Sequence, residues 1–150
     1  MAVWECARVP AGFSELWCAE LGTTFELSGL RRRLREATTG SPTVLHPERE
    51  HWAERLVLIA DELTSNALRH GGGPVATALS RIGRNWMVSV SDRSPEIPPV
   101  LAQDRDPAQG GLGLHLIADL ALRHGWFAER GTKTVWAVVA ADDPARPTRE

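Results

Sequence analysis

Apolar residues recur along this chain at two different periods, and the places where the period changes divide it into elements. Trp52, Leu56, Ile59 and Leu63 follow one another at spacings of four, three and four. That is one apolar stripe of a helix, predicted over residues 48–70 and stopped by Gly71-Gly72-Gly73-Pro74. Alternation of period two then predicts strands at 75–82 and 86–91, joined by a hairpin turn at Gly83-Arg84-Asn85. A Pro-rich loop over 94–111 leads into an apolar-periodic helix over 112–123, followed by strands at 125–129 and 133–140 that turn at Arg130-Gly131-Thr132. Upstream, Thr23-Thr24-Phe25-Glu26-Leu27 alternates and predicts a short strand. Ser28 is then placed to cap a basic helix over 29–37, whose Arg31, Arg32, Arg33 and Arg35 are expected to be mostly solvated. Residues 38–47 form a loop with two prolines, 1–22 are an extension of undetermined role, and the polar tail 142–150 is expected to be disordered. Trp52 and Trp86 are expected in the core, with Trp4 the least buried of the six tryptophans. Hairpins with separate helices predict one α+β domain over 23–141, a two-layer sandwich with a mixed, mostly antiparallel sheet and helices on one face.

Composition narrows the function classes more than the fold. A chain of 150 residues, 43% apolar and 24% charged, suits a single globular domain, which at this length buries roughly 70% of its unfolded surface. A net charge of −2 gives no basic field for nucleic acid. No apolar run approaches the roughly 18 residues of a membrane span, and the opening MAVWECARVP lacks a basic region followed by an apolar stretch, so a cytoplasmic location is expected. Cys6 and Cys18 fit neither a zinc site nor a redox pair and are expected to be reduced. The cations are sixteen arginines and one lysine, Lys133, a bias expected from genomic base composition.

Three segments carry candidate chemistry. The first is Asp61-Glu62-Leu63-Thr64-Ser65-Asn66-Ala67-Leu68-Arg69-His70-Gly71, which sets Glu62 and Asn66 one turn apart, beside or on the apolar stripe. A buried carboxylate or amide without partners costs on the order of 1–3 kcal/mol, so a polar group is expected against that end of the helix. The second is Val88-Ser89-Val90-Ser91-Asp92, an alternating strand ending in an acid. Asp92 either caps the turn that follows or accepts a hydrogen bond from an exocyclic amine at the base of a pocket, which a carboxylate does well because it only accepts. The third is Gly110-Gly111-Leu112-Gly113-Leu114-His115, glycines running into a helix, where free N–H groups and the helix dipole favour phosphate. No Lys-Ser/Thr follows and no G-x-G-x-x-G is completed, so neither a Walker loop nor a Rossmann fingerprint is present. His115 falls within the helix's apolar pattern and is expected to be structural.

Taken in order, ExxxN on a helix, Asp at a strand end, a Pro-rich loop, GLGL opening a helix and TKTVW in the last strand resemble the GHKL (Bergerat-fold) ATPase superfamily. Within it, NALRHG, SDRSPEIP, GGLGLHLI and TKTVW are similar to the small anti-sigma-factor-type serine kinases, including short paralogues of actinobacteria, over about 25–139. The resemblance implies ATP and Mg²⁺ as cofactors. It implies Glu62 as the catalytic base and Asn66 as the Mg²⁺ ligand. ATP-binding positions would be Asn66, His70, Gly71, Asp92 at the adenine amine, Arg105, Gly111, Leu112 and Gly113 at the lid, and Thr134 near adenine, its register against Thr132 being open by a residue or two. Residues 94–110 would form the ATP lid. The implied function is a serine-protein kinase and anti-sigma factor that phosphorylates an anti-anti-sigma (STAS-type) partner and binds a sigma factor, acting as a homodimer. Two departures stand out. The superfamily's DxGxG box is here Asp92-Arg93-Ser94-Pro95-Glu96, and Gln109 stands where an arginine suited to the γ-phosphate is common. They motivate the alternative of a nucleotide-dependent sequestering module without kinase activity.

Overall fold

The computed structural model describes residues 6–39, 47–70, 73–94, 117 and 120–141. Five strands form one sheet in the order β1-β2-β3-β5-β4: β1 Ser14–Leu21, β2 Val75–Ile82, β3 Asn85–Asp92, β4 Arg123–Glu129 and β5 Thr132–Ala140. All neighbouring strands run antiparallel. The one parallel pairing among the described residues is a bridge from Cys6 to Trp126. Two helices, α1 Leu27–Thr39 and α2 Pro47–His70, cover one face. This is the α+β layered fold that the alternating and helical periods predict. Among the described residues no helix is long and apolar enough to cross a membrane.

The expected stripe of α2 is the centre of the core: Trp52, Leu56, Ile59 and Leu63 are all buried, with Leu56 and Ile59 fully so. They pack against Val75 and Leu79 of β2, Trp86, Val88 and Val90 of β3, and Val135, Ala137 and Val139 of β5. Every second residue of these strands faces the helices, as the pleat requires. Two contacts fix how α2 lies. At its start, Trp52 stacks on Trp86 with ring centroids 5.4 Å apart. Three turns later the Thr64 and Thr77 hydroxyls meet at 2.9 Å, both fully buried. Thr77 is paired with Val90 across the sheet. The helix therefore runs in the same direction as β3, its N-terminal part over Trp86 and its C-terminal part over the Asp92 end.

The segment before α1 differs from its predicted form. Thr24–Glu26 is a short 3-10 helix leading directly into α1, not a strand, and Ser28 lies inside α1 rather than capping it. The cause is local. The Glu26 carboxylate reaches back to accept the backbone N–H groups of Gly22 at 2.8 Å and Thr23 at 3.0 Å, the acidic half of a capping box. Phe25, which made the pattern alternate, is 90% exposed. Leu27, Leu30 and Leu34 form the buried face of α1. Its four arginines are exposed or half-buried, and three of them are engaged: Arg31 pairs with Asp61, Arg35 with Glu54, and Arg33 lies over the Trp17 ring. At the other end of the chain, Arg123 belongs to β4 instead of closing the preceding helix, of which Ile117 and Leu120 are the described helical positions.

The N-terminal segment closes the second face of the sheet. Ala7 donates its N–H to the Trp126 carbonyl at 2.7 Å and accepts from the Trp136 indole at 2.8 Å, both at the β4 side. Gly125 makes this approach possible, since a Cβ there would stand 2.8 Å from the Trp136 ring. Phe13 joins Ala7 and Phe127 over buried Met87, Trp136 and Val138, and Ser14 then opens β1 at the opposite edge. Four strand spacings of ~4.8 Å separate the two edges, and the segment crosses between them with a turn at Ala11-Gly12, where Gly12 has a φ of 97°. Trp4 lies outside the described residues.

The hydroxyl pair that anchors α2 yields a sharp expectation. Thr64→Val or Thr77→Val alone leaves the other buried hydroxyl unpaired and costs about 1–3 kcal/mol, whereas the double variant is close to wild type. Urea unfolding of the four proteins checks this. Additive losses in the double variant would show that the two hydroxyls do not depend on each other.

Candidate nucleotide site at the end of the central helix

The direction of α2 decides which polar side chains meet. Leu58, Glu62, Asn66 and His70 recur at spacings of four and are all half-buried, forming a flank beside the buried stripe. Because Thr64 sits at the level of Val90, Glu62 and Asn66 fall towards the end of β3 where the strand stops at Asp92. Asp92 shares the helix-facing side with Val88 and Val90 and is 2% exposed. Glu62 and Asn66 thus lie on the flank of α2, at the end of the helix that lies towards the strand end carrying Asp92. Among the described residues, neither the Glu62 carboxylate nor the Asn66 amide is held by a hydrogen bond.

The electrostatics of this flank favour proton exchange. Burial pushes the Glu62 carboxyl above the ordinary carboxylate range, neighbouring Asp61 pushes it further, and Arg69 partly offsets both. Asp61 itself is tied to Arg31 of α1, so the acid beside Glu62 is the structural member of the pair. An acid raised by desolvation is a stronger base once ionised.

Asp92 fulfils the turn-capping role and has capacity beyond it. Its Oδ1 accepts the Ser94 N–H at 2.8 Å, while its Oδ2 lies 3.5 Å from the Lys133 ammonium, with the two charged side chains 2% and 4% exposed. A carboxylate has about four acceptor positions, so these partners do not saturate it. Lys133 was not among the residues singled out by motif. Register supplies it, because Lys133 is directly opposite Asp92 in the β3–β5 pair. The signal available in sequence was the chain's single lysine opening an otherwise apolar strand.

Thr134 is placed elsewhere. One residue on from Lys133, it lies on the other side of β5, with its hydroxyl 2.8 Å from that of Ser91. It shares that side with Trp136 and Val138. The structure therefore brings Asp92 and Lys133 together on the helix-facing side and separates Thr134 from them. Gly71, Arg105, Gly111, Leu112, Gly113 and His115, with most of the expected lid 94–110, lie outside the described residues. Among the described residues no cluster of three or more His, Cys, Asp or Glu side chains could hold a metal ion.

Residues 26–139 match the histidine kinase-like ATPase domain family over most of the chain. The chain belongs to that family. It is also 30% identical over 112 residues to the signal transduction histidine-protein kinase AfsQ2 of Streptomyces coelicolor, an alignment covering 64% of this chain and 21% of that protein. The chain thus spans about a fifth of the length of that relative. Membership makes this a kinase-like ATPase domain, and it implies ATP as the nucleotide.

A linkage expectation follows from Glu62. Its carboxyl is raised in the folded state, so over the window above its ordinary value of 4.5 the folded chain holds more proton than the unfolded one. Stability from this group therefore falls as pH rises through that window. Glu62→Gln removes the burden and should stabilise the domain at pH 7 by a few tenths of a kcal/mol, a small effect because the group is half exposed and screened. The gain should shrink once the pH falls below the ordinary carboxylate range. Thermal melts of both proteins from pH 3 to 8 measure this, and a less stable variant at pH 7 would contradict it.

Proposed function

We propose that this chain is an ATP-binding regulatory protein acting as a serine-protein kinase and anti-sigma factor. In this reading it phosphorylates an anti-anti-sigma partner of STAS type, binds a sigma factor and works as a homodimer in the cytoplasm. The observation that carries the nucleotide part is that half-buried Glu62 and Asn66 near the end of α2 lie at the same end of the fold as buried Asp92 at the end of β3. The serine-kinase part rests on the likeness of NALRHG, SDRSPEIP, GGLGLHLI and TKTVW to the anti-sigma kinases. The relative AfsQ2 is named a histidine-protein kinase, so the identity of the acceptor residue is what the transfer assay below decides.

The residues present fit the nucleotide. Asp92 retains acceptor capacity for the adenine amine, and the half-buried Asn66 amide offers a neutral oxygen of the kind Mg²⁺ takes when phosphate and water complete its octahedron. Bound Mg²⁺–ATP would supply the phosphoryl group to be transferred. Glu62 would accept the proton of the attacking serine hydroxyl, a contribution of roughly 10²–10⁴-fold. His70, Gly71, Arg105, Gly111, Leu112 and Gly113 would surround the phosphates and lid. Thr134, facing the other side of β5, would act on this site only through the backbone of its strand.

A second reading is favoured by one observation. Ser94 occupies the place of the first glycine of the DxGxG box and is buried at 8% exposure, donating to Asp92. A side chain there fills space that a glycine leaves open beside the nucleobase. With Gln109 in place of a γ-phosphate arginine, this suits a module that binds nucleotide and sequesters a regulator without transferring phosphate, since charge stabilisation of the transferring group is much of such catalysis.

Titration calorimetry with ATP and Mg²⁺ tests the common part. Saturable binding is expected to weaken about tenfold or more in Asn66→Ala and Asp92→Asn, and its dependence on Mg²⁺ to be lost in Asn66→Ala alone. Transfer of labelled γ-phosphate to a serine of a STAS-type partner, lost in Glu62→Ala, separates kinase from sequestering module. Partner binding that survives Glu62→Ala with no transfer in any variant would establish the second reading. Well-folded protein with no affinity for nucleotide would remove both.

A further inference from the structure

Asp61 and Glu62 are consecutive acids on α2, and the structure treats them differently. Successive helical residues point about 100° apart, so the two carboxylates leave the helix on different faces. Asp61 meets α1: its Oδ1 lies 2.5 Å from Nη1 of Arg31, the two side chains being 25% and 36% exposed. Glu62 leaves on the flank it shares with Leu58, Asn66 and His70. Helix packing does not depend on this tie. Leu27, Leu30 and Leu34 already bury the inner face of α1, and Arg35 pairs with Glu54 further along the two helices. A half-exposed ion pair adds little to such packing. What Arg31 does alter is the charge beside Glu62. Burial and Asp61 both push the Glu62 carboxyl upwards, and Arg69 offsets them in part. From the other elements, Arg31 of α1 reaches Asp61, and Asp92 at the end of β3 stands beside Lys133 within the sheet.

A general base works best when its proton affinity lies near the working pH. A neighbouring carboxylate without a counter-charge would hold the proton on Glu62 too tightly, since like charges disfavour ionisation. Resting on the reading of Glu62 as the base, we infer that Arg31 is a positioning residue for phosphoryl transfer: it draws the Asp61 carboxylate onto α1 and leaves Glu62 as the one acid of this turn presented to the acceptor hydroxyl. Arg31 acts through Asp61 and touches no reacting group. The acceptor oxygen takes the phosphoryl group as its proton passes to Glu62, while Asp61 stays paired with the guanidinium. The helix α1 is in this way an electrostatic part of a site that it does not line.

The test is a carboxyl ¹³C NMR titration of the full chain without nucleotide, the Glu62 signal being assigned by its loss in Glu62→Gln. In Arg31→Met the Glu62 midpoint is expected to move to higher pH by roughly half a pH unit, and Arg31→Lys should restore it. Asp61→Asn should move it to lower pH, and adding Arg31→Met to Asp61→Asn should change nothing further. Should Arg31→Met fail to fold, Arg31→Gln carries the same expectation. A merely structural tie would lower stability in Arg31→Met and leave the Glu62 midpoint in place, which would overturn the inference. A shift that persists in the Asp61→Asn background would overturn it too, because Arg31 would then act on Glu62 directly. Single-turnover transfer of labelled γ-phosphate to the STAS-type partner links the midpoint to the reaction. The acidic limb of its pH profile should move with the Glu62 midpoint, to higher pH in Arg31→Met. A limb that stays in place sinks the inference while the kinase reading stands. No transfer by the wild type at any pH removes the kinase reading, and the positioning role falls with it.

Discussion

The constraint on which the rest of this molecule depends is that α2 must lie along β3 in one direction and at one level. Leu56 and Ile59 are fully buried against the sheet, and Trp52, Val57 and Leu63 nearly so; each such side chain contributes about 1.5–3 kcal/mol of transfer free energy. Non-directional burial alone would tolerate sliding. The Trp52–Trp86 stack and the Thr64–Thr77 hydroxyl pair remove that freedom, because a shift of one turn would leave two buried hydroxyls without partners. The polar flank of α2 is carried towards the end of β3 by this lock, which sets Glu62 and Asn66 at the level of the strand end that carries Asp92.

A helix fixed by its core can carry polar residues that do not stabilise it. Glu62 is held partly out of water beside Asp61, and both effects raise its carboxyl. Arg31 neutralises Asp61 from α1, so the two adjacent acids are divided in function, one a tie between helices and the other a half-desolvated base. Such a group costs folding free energy, which the apolar stripe one residue away readily offsets. Sites of this kind are where local rules for a stable helix are expected to be broken.

Legibility in the sequence tracked the range of the interaction. The 3.6 period of α2 and the alternation of β2, β3 and β5 were readable because burial on one face writes itself into residue order. The same alternation misled at Thr23–Leu27, where Glu26 bonding back to Gly22 and Thr23 is a stronger local signal than one apolar residue at every second place. The strand β1 was not legible: half of it is an edge with Leu16 and Cys18 turned outward, and its place depends on a crossing of the rear face that only tertiary contacts fix. For the candidate site, Glu62, Asn66 and Asp92 were singled out by spacing and strand ends. Lys133 was not, since it is opposed to Asp92 across 41 positions of sequence by register alone.

That register also explains why the cation is a lysine. The chain uses arginine at sixteen of its seventeen basic positions, and the described arginines reach the surface at least in part. The seventeenth, Lys133, is buried beside the Asp92 carboxylate. A guanidinium there would bring five N–H donors in a fixed plane, more than Asp92 could satisfy, and each unmet donor would bear a desolvation cost. An ammonium is a compact charge on a flexible stem whose three donors can be redirected as partners change. Burial therefore selects lysine here, and the position where this chain departs from its own compositional habit is the one directly opposite Asp92 in the sheet.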